Sequence, residues 1–174
     1  MNFNLSQIPE RTTQPRTSGL TMIMDKGLSI NEVHNFMSVG APHSDVIKLG
    51  FGTSFVTPNL KQKIEAYQSY NIPLYFGGTL FEAFLVRGQF DDYVSICKDY
   101  GITYIEVSDG SISIPHTEKC GLIEKLAKYG NPSEFYLPIG MMNSLKFSMA
   151  CETKLIVLPS GVCTMVCHGK IQLN

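Results

Sequence analysis

Short apolar runs and longer amphipathic segments take turns along most of the chain. Three of the runs share one plan. They are Ser18-Gly19-Leu20-Thr21-Met22-Ile23-Met24-Asp25-Lys26-Gly27, Asp45-Val46-Ile47-Lys48-Leu49-Gly50-Phe51-Gly52 and Thr103-Tyr104-Ile105-Glu106-Val107-Ser108-Asp109-Gly110. In each, buried-type residues deliver charged groups beside a glycine-marked turn. Leu74-Tyr75-Phe76, bounded by Pro73 and Gly77-Gly78, is a further strand candidate. Between the runs, apolar residues recur at helical spacing. Ile30, Val33, Phe36 and Met37 predict a helix capped by Ser29 or Asn31 and reaching about Val39. Leu60, Ile64 and Tyr67 predict one that opens at Pro58 and ends near Tyr70. Thr79 is expected to cap Leu80–Val86, and Gly101 to stop a helix begun near Phe90. Pro115–Lys128 forms the next, with Gly130 just beyond it. Strands alternating with helices predict a parallel sheet with right-handed crossovers. Charged groups at successive strand ends are what a β/α barrel presents at its carboxyl face.

The rhythm stops after Gly130. Leu155-Ile156-Val157-Leu158 is the one good strand candidate beyond it, and no strong amphipathic helix follows. A complete (β/α)8 barrel takes about 250 residues, whereas this chain has 174. The expected fold class is therefore α/β, of the TIM-barrel type but incomplete. Residues 1–130 are expected to form the N-terminal part of the barrel, and 131–174 a divergent tail rather than a separate domain. The change of character suggests a truncated or frame-shifted product, or an unusual natural ending. Unpaired sheet edges invite association, so a homo-oligomer is expected.

Composition removes several function classes. With 14 Lys+Arg against 15 Asp+Glu the net charge is −1, which gives no basic field for nucleic acid. No apolar run approaches the roughly 20 residues that span a membrane. Met1–Glu10 lacks the charged and apolar regions of a signal peptide. A cytoplasmic protein is expected, with no nucleic acid and no membrane as partner. The five cysteines are odd in number and irregularly spaced, as reduced thiols are. Cys163-Thr164-Met165-Val166-Cys167-His168 has neither zinc, redox nor haem spacing.

Candidate chemistry gathers at the predicted strand ends. Asp25 can hold Mg²⁺ through oxygen, or it can form a structural ion pair with a neighbouring cation. Lys48 lies in an otherwise apolar run, where a lysine is costly unless it meets an anion or escapes to the rim. Its replacement by alanine is expected to harm anion binding more than folding. Glu106, flanked by Ile105 and Val107, should point into the barrel and needs a cation or a proton. Asp109 flanks the same strand end. Glu82 is either a cap-type acid or a site residue. The glycine-rich turns at Gly52-Thr53 and Gly77-Gly78-Thr79 open helices whose N–H groups attract phosphate or carboxylate. Arg11 and Arg16 are anion ligands or plain surface charges.

Together, Arg11-Thr12-Thr13-Gln14-Pro15-Arg16, Gly19-Leu20-Thr21-Met22 with Asp25-Lys26-Gly27, Lys48-Leu49-Gly50-Phe51-Gly52-Thr53-Ser54, Gly77-Gly78-Thr79-Leu80-Phe81-Glu82 and Glu106-Val107-Ser108-Asp109-Gly110 resemble the phosphosulfolactate synthase family. The resemblance runs from about Arg11 to Gly130. It implies a β/α barrel and a carbon–sulfur lyase, with magnesium as cofactor and a phosphorylated acid and sulfite as small-molecule partners. The reaction implied is addition of sulfite to phosphoenolpyruvate, giving phosphosulfolactate on the way to coenzyme M. Carried onto these motifs, Asp25, Glu106 and Asp109 are metal candidates, and Lys26 and Lys48 the electrostatic or acid candidates. Arg11, Arg16, Gly52, Thr53, Gly77, Gly78 and Thr79 are the substrate-binding candidates. A non-catalytic, stress-associated or interaction member of the same scaffold is an alternative, as is a different Mg²⁺-dependent lyase.

Overall fold

Val46, Ile47 and Leu49 suit a strand buried on both faces, and the computed structural model builds its sheet around them. It describes residues 3, 5–8, 10, 12–16, 19–50 and 52–129, and the backbone of the strands at 137–141, 152–157 and 163–168. β2 (Val46–Leu49) is the central strand, and all four of its residues are buried. β1 (Met22–Asp25) and β3 (Leu74–Phe76) flank it, both parallel. The register sets Met24 beside Lys48 and Lys48 beside Tyr75, with Asp25, Leu49 and Phe76 in the next row. Because side chains alternate across a strand, Met24, Lys48 and Tyr75 share one face. Asp25, Leu49 and Phe76 share the other.

The helices lie on the Asp25 side. α1 (Ile30–Gly40) starts at a capping box, in which the Ser29 and Glu32 side chains each bond the other's backbone N–H. Its buried residues Val33 and Met37 meet Ile64 and Tyr67 in one core cluster. α2 (Thr53–Val56) is a single turn, and α3 (Leu60–Gln68) follows it. α4 (Gly78–Leu85), α5 (Phe90–Asp99) and α6 (His116–Tyr129) complete the layer. Phe76 meets Tyr100 edge-on, and Phe81 meets Tyr93 the same way. Ile47 and Leu49 are wholly buried, and each such side chain contributes about 1.5–3 kcal/mol.

Several local expectations change. α4 begins at Gly78 with Gly77 as its cap residue, so Thr79 lies inside the first turn and caps nothing. Gly77 donates its N–H to the Leu49 carbonyl at 2.8 Å, which ties the helix start to β2. The one-turn α2 carries no sequence signal, because four residues are too few to show a period. The run at Tyr104–Val107 forms only a bridge at Tyr104 and continues as extended chain, although Ile105, Glu106 and Val107 are buried.

Beyond α6 lie three strands where one was expected. β4 (Leu137–Met141), β5 (Glu152–Val157) and β6 (Cys163–His168) form an antiparallel sheet in the order β4-β5-β6. Thr164 and Val166 are β-branched and alternate along β6, a strand period within the run that also carries Cys163 and Cys167. Among the described residues the parallel sheet has three strands, and no helix is long and apolar enough to cross a membrane.

Candidate functional site

Lys48 is the charged residue of the central strand, and the strand's pleat turns it away from the helices. Its Nζ lies 2.7 Å from Glu106 Oε2. The same oxygen accepts the Gly78 N–H at 2.9 Å, one of the donors that a helix start leaves unmatched. Lys48 and Glu106 are 8% and 2% exposed. The Lys48 ammonium also stands 5.9 Å from the centroid of the Tyr75 ring. Burial, and then the Glu106 charge, push the Tyr75 hydroxyl well above its ordinary range.

Lys48, which needed an anion, and Glu106, which needed a cation or a proton, answer each other in a buried salt bridge, and the pairing changes one expectation. Lys48→Ala would leave a buried carboxylate without its ammonium, which is strongly destabilising. Folding is therefore expected to suffer strongly from this substitution.

Glu82, one turn into α4, reaches the loop after the Tyr104 segment. Its carboxylate accepts from Ser108 Oγ, from the Gly110 N–H at 2.8 Å and from the Ser111 N–H at 3.0 Å. A cap-type role within its own helix is thereby replaced by a brace for the neighbouring loop. Gly78 makes the close approach possible. A Cβ there would overlap Ser108 and fall 2.9 Å from Glu106 Cδ.

Asp109, on the braced loop, is 2.7 Å from Lys119 Nζ of α6. A groove of about 440 Å³ opens beside this pair and includes Gly110, Ser111 and His116 in its lining.

Asp25 lies on the opposite face from Glu106. Its Oδ1 accepts the N–H groups of Gly27 and Leu28 at 2.7 and 2.9 Å. Its Oδ2 accepts from the Tyr67 hydroxyl at 2.9 Å and sits 2.7 Å from Lys63 Nζ. Burial pushes the carboxyl up, but Lys63, the two N–H groups and Tyr67 outweigh it and hold the pKa below the ordinary value. The ion-pair reading of Asp25 describes this geometry. The expected metal trio is not assembled, for Asp25, Glu106 and Asp109 each face a different ammonium. Among the described residues no three His, Cys, Asp or Glu side chains gather to hold a metal.

Arg16 calls for a further correction. It sits at the amino ends of the strands, with Nη1 2.7 Å from Asp45 Oδ1, and with Nε and Nη2 donating to the Thr12 and Pro42 carbonyls. Asp45 immediately precedes β2 and also accepts the Thr21 N–H at 2.7 Å. Arg16 fastens the lead-in segment to the sheet and is not free to take an anion. Arg11 lies outside the described residues.

Lys26 is exposed at the end of β1. Gly52, at φ +73°, caps the short α2, and Thr53 is buried behind it. Thr79 is half-buried. The sequence reading missed Lys63, Tyr67 and Tyr75. The clue to the first two was their spacing of four on a predicted helix that also carries Leu60 and Ile64. Cys97 and Cys120 are free thiols, and burial pushes the Cys97 thiol up to about 12 despite the nearby Tyr93 hydroxyl.

The profile of the (2R)-phospho-3-sulfolactate synthase (ComA) family matches residues 9–144. Phosphosulfolactate synthase of Bacillus subtilis is 31% identical over 123 residues, which is 71% of this chain and 49% of that one. Its counterpart from Methanothermobacter thermautotrophicus is 33% identical over 124 residues, 70% of this chain and 48% of that one. The one from Methanocaldococcus jannaschii is 37% identical over 114 residues, with shares of 64% and 45%. The chain thus spans about half the length of the curated relatives it matches. The match begins near Arg11, as the motifs suggested, and runs past Gly130. By this match, and by the order of its motifs along a parallel α/β sheet, the chain belongs to the phosphosulfolactate synthase family.

Proposed function

We propose that the Lys48 face binds phosphoenolpyruvate and serves the addition of sulfite that gives phosphosulfolactate, on part of a (β/α)8 barrel. The observation that carries this reading is the buried Lys48–Glu106 pair, set on the face away from the helices and joined to the start of α4. In that reaction the sulfur lone pair of sulfite forms a bond to the methylene carbon of phosphoenolpyruvate. The double-bond electrons move onto the adjacent carbon and its carboxylate, and a proton delivered to that carbon completes the product. A buried ammonium is suited to the enolate-like charge, because a fixed cation in a low dielectric stabilises developing charge without reorganisation. Lys48 takes that role, and Lys26 on the rim is the second acid candidate. Gly52, Thr53, Gly77 and Thr79 remain candidates for the phosphate end. The Gly78 N–H is engaged by Glu106, so Gly78 acts by holding that carboxylate.

Magnesium, which the resemblance implies, does not fit the described residues as they stand. It takes oxygen ligands in octahedral array, and here each carboxylate proposed for it is closed by an ammonium. No step is therefore routed through it. Self-association remains part of the proposal, supported by β1, which has β2 as its only ladder partner among the described residues, and by exposed Phe55 and Val56. Sedimentation showing a monomer at all working concentrations would remove it.

The central test compares the full chain with Lys48→Gln, which keeps a donor for Glu106. Phosphoenolpyruvate binding is measured by calorimetry with and without Mg²⁺, and sulfonate formation after sulfite is added. The wild-type chain should bind, and the variant should bind at least about tenfold more weakly, the loss expected for a hydrogen bond to a charged group. Equal affinities would reject Lys48 as the anion ligand. Binding without sulfonate would identify a member that keeps the scaffold and lacks turnover.

A further inference from the structure

We propose that the Tyr75 hydroxyl is a second ligand-binding group, donating a hydrogen bond to an oxyanion of the phosphorylated acid held at Lys48. The inference rests on the reading of the Lys48 face as the anion site. Three observations carry it.

Tyr75 is the β3 partner of Lys48 in the parallel register, so the two side chains rise from the same face on neighbouring strands. The ammonium stands over the ring, 5.9 Å from its centroid. The residue is 0% exposed, yet its hydroxyl has no hydrogen-bond partner among the described residues. Buried hydroxyls are nearly always paired, and an exception asks for an explanation. Tyr67 shows the ordinary case, since its hydroxyl is spent on Asp25 at 2.9 Å.

A phenol beside an ammonium suits a carboxylate or phosphate oxygen, which can accept from both. The group is also kept in its donor form. Burial and the neighbouring Glu106 charge raise its pKa far above neutrality, so it offers a proton to share and adds no negative charge that would repel the ligand. The Lys48–Glu106 pair holds the ammonium on this side of the sheet. An oxyanion seated against Lys48 would lie on the face of the sheet that Tyr75 shares, where the orphan donor could be satisfied.

The test uses the full chain and its Tyr75→Phe variant, with Lys48→Gln as reference. Calorimetric titrations are run with phosphoenolpyruvate, with inorganic phosphate and with pyruvate, so that the phosphate and carboxylate ends are probed apart. Thermal midpoints of the unliganded proteins are recorded alongside. Tyr75→Phe should leave the unliganded midpoint unchanged or raised, because it removes an unsatisfied group. It should weaken phosphoenolpyruvate binding about tenfold, and weaken whichever fragment anion reaches the hydroxyl. A midpoint lowered by several degrees would mean that the hydroxyl has a protein partner, and would overturn the inference. So would unchanged phosphoenolpyruvate affinity in Tyr75→Phe alongside lost affinity in Lys48→Gln, an outcome that leaves the Lys48 reading standing. Wild-type protein that binds none of the three anions would overturn both.

Discussion

Lys63→Ala is expected to destabilise the protein by about 3–5 kcal/mol, the range found when one partner of a buried ion pair is removed. For a chain of this size that lowers the thermal midpoint by roughly 6–20 °C. Asp25 and Lys63 are each 1% exposed, and their facing atoms are 2.7 Å apart. Without Lys63, the Asp25 charge keeps, among the described residues, the Tyr67 hydroxyl and the N–H groups of Gly27 and Leu28. Removing both charges together with Asp25→Asn and Lys63→Met should recover most of the loss, because no stranded ion remains.

The same pair sets an acid limit. The folded pKa of Asp25 lies below its ordinary value of 3.8, so the unfolded chain takes up the proton first as pH falls. The stabilisation is therefore fully present above the unfolded value and is lost as pH drops through the lower folded one. In Lys63→Ala a main cause of the depression is gone, so the midpoint should fall less steeply on the acid side. Midpoints measured from about pH 6 to pH 2.5 check both statements. Additive single substitutions, or an unchanged acid slope, would show that the pair is not coupled.

The division between what the sequence revealed and what it hid has physical causes. Strands β1 to β3 were legible as short apolar runs beside glycine or proline, and helices α1, α3, α5 and α6 because each repeats its period over enough residues, with Ser29, Pro58 and Gly101 marking their ends. The partnership of Lys48 with Glu106 was half legible. A charge inside an apolar run announces that it needs a counter-charge, but the run does not say which one answers. Asp25 shows the limit. Its place at a strand end looked like that of Glu106, yet one step of strand parity sends it to the helix side, where Lys63 and Tyr67 wait. Parity depends on the register with neighbouring strands, and register is a pairing property that no single run contains. Arg16 was misjudged for a related reason, since proximity in sequence to β1 does not say which end of the sheet a lead-in segment crosses. The β4-β5-β6 strands were obscured because irregular antiparallel strands lack the strand–helix rhythm that guided the reading up to Gly130.

The same substitution at two glycines should move stability in opposite directions. Gly121→Ala lies within α6, and nothing stands within 4 Å of the added Cβ. The gain should be close to the helix-propensity difference, about 1 kcal/mol. Gly78→Ala enjoys a similar local preference, but its Cβ would overlap Ser108 and fall 2.9 Å from both Ser108 Oγ and Glu106 Cδ. These neighbours cannot easily retreat. Gly77 is bonded to the Leu49 carbonyl at the start of α4, Ser108 is bonded to Glu82 of that same helix, and Glu106 is paired with Lys48. Overpacking of a tight contact costs about 1–3 kcal/mol, which outweighs the helical gain. The displacement should also lengthen the Gly78–Glu106 hydrogen bond, disturb the Lys48 pair and weaken anion binding more than the loss of stability alone would. Gly121→Ala should leave anion binding untouched. Chemical denaturation and calorimetry on both variants decide the matter. If Gly78→Ala were as stable as Gly121→Ala and bound phosphoenolpyruvate as wild type does, α4 would have to be free to shift away from the Glu106 loop, and the close approach would have no part in shaping the site.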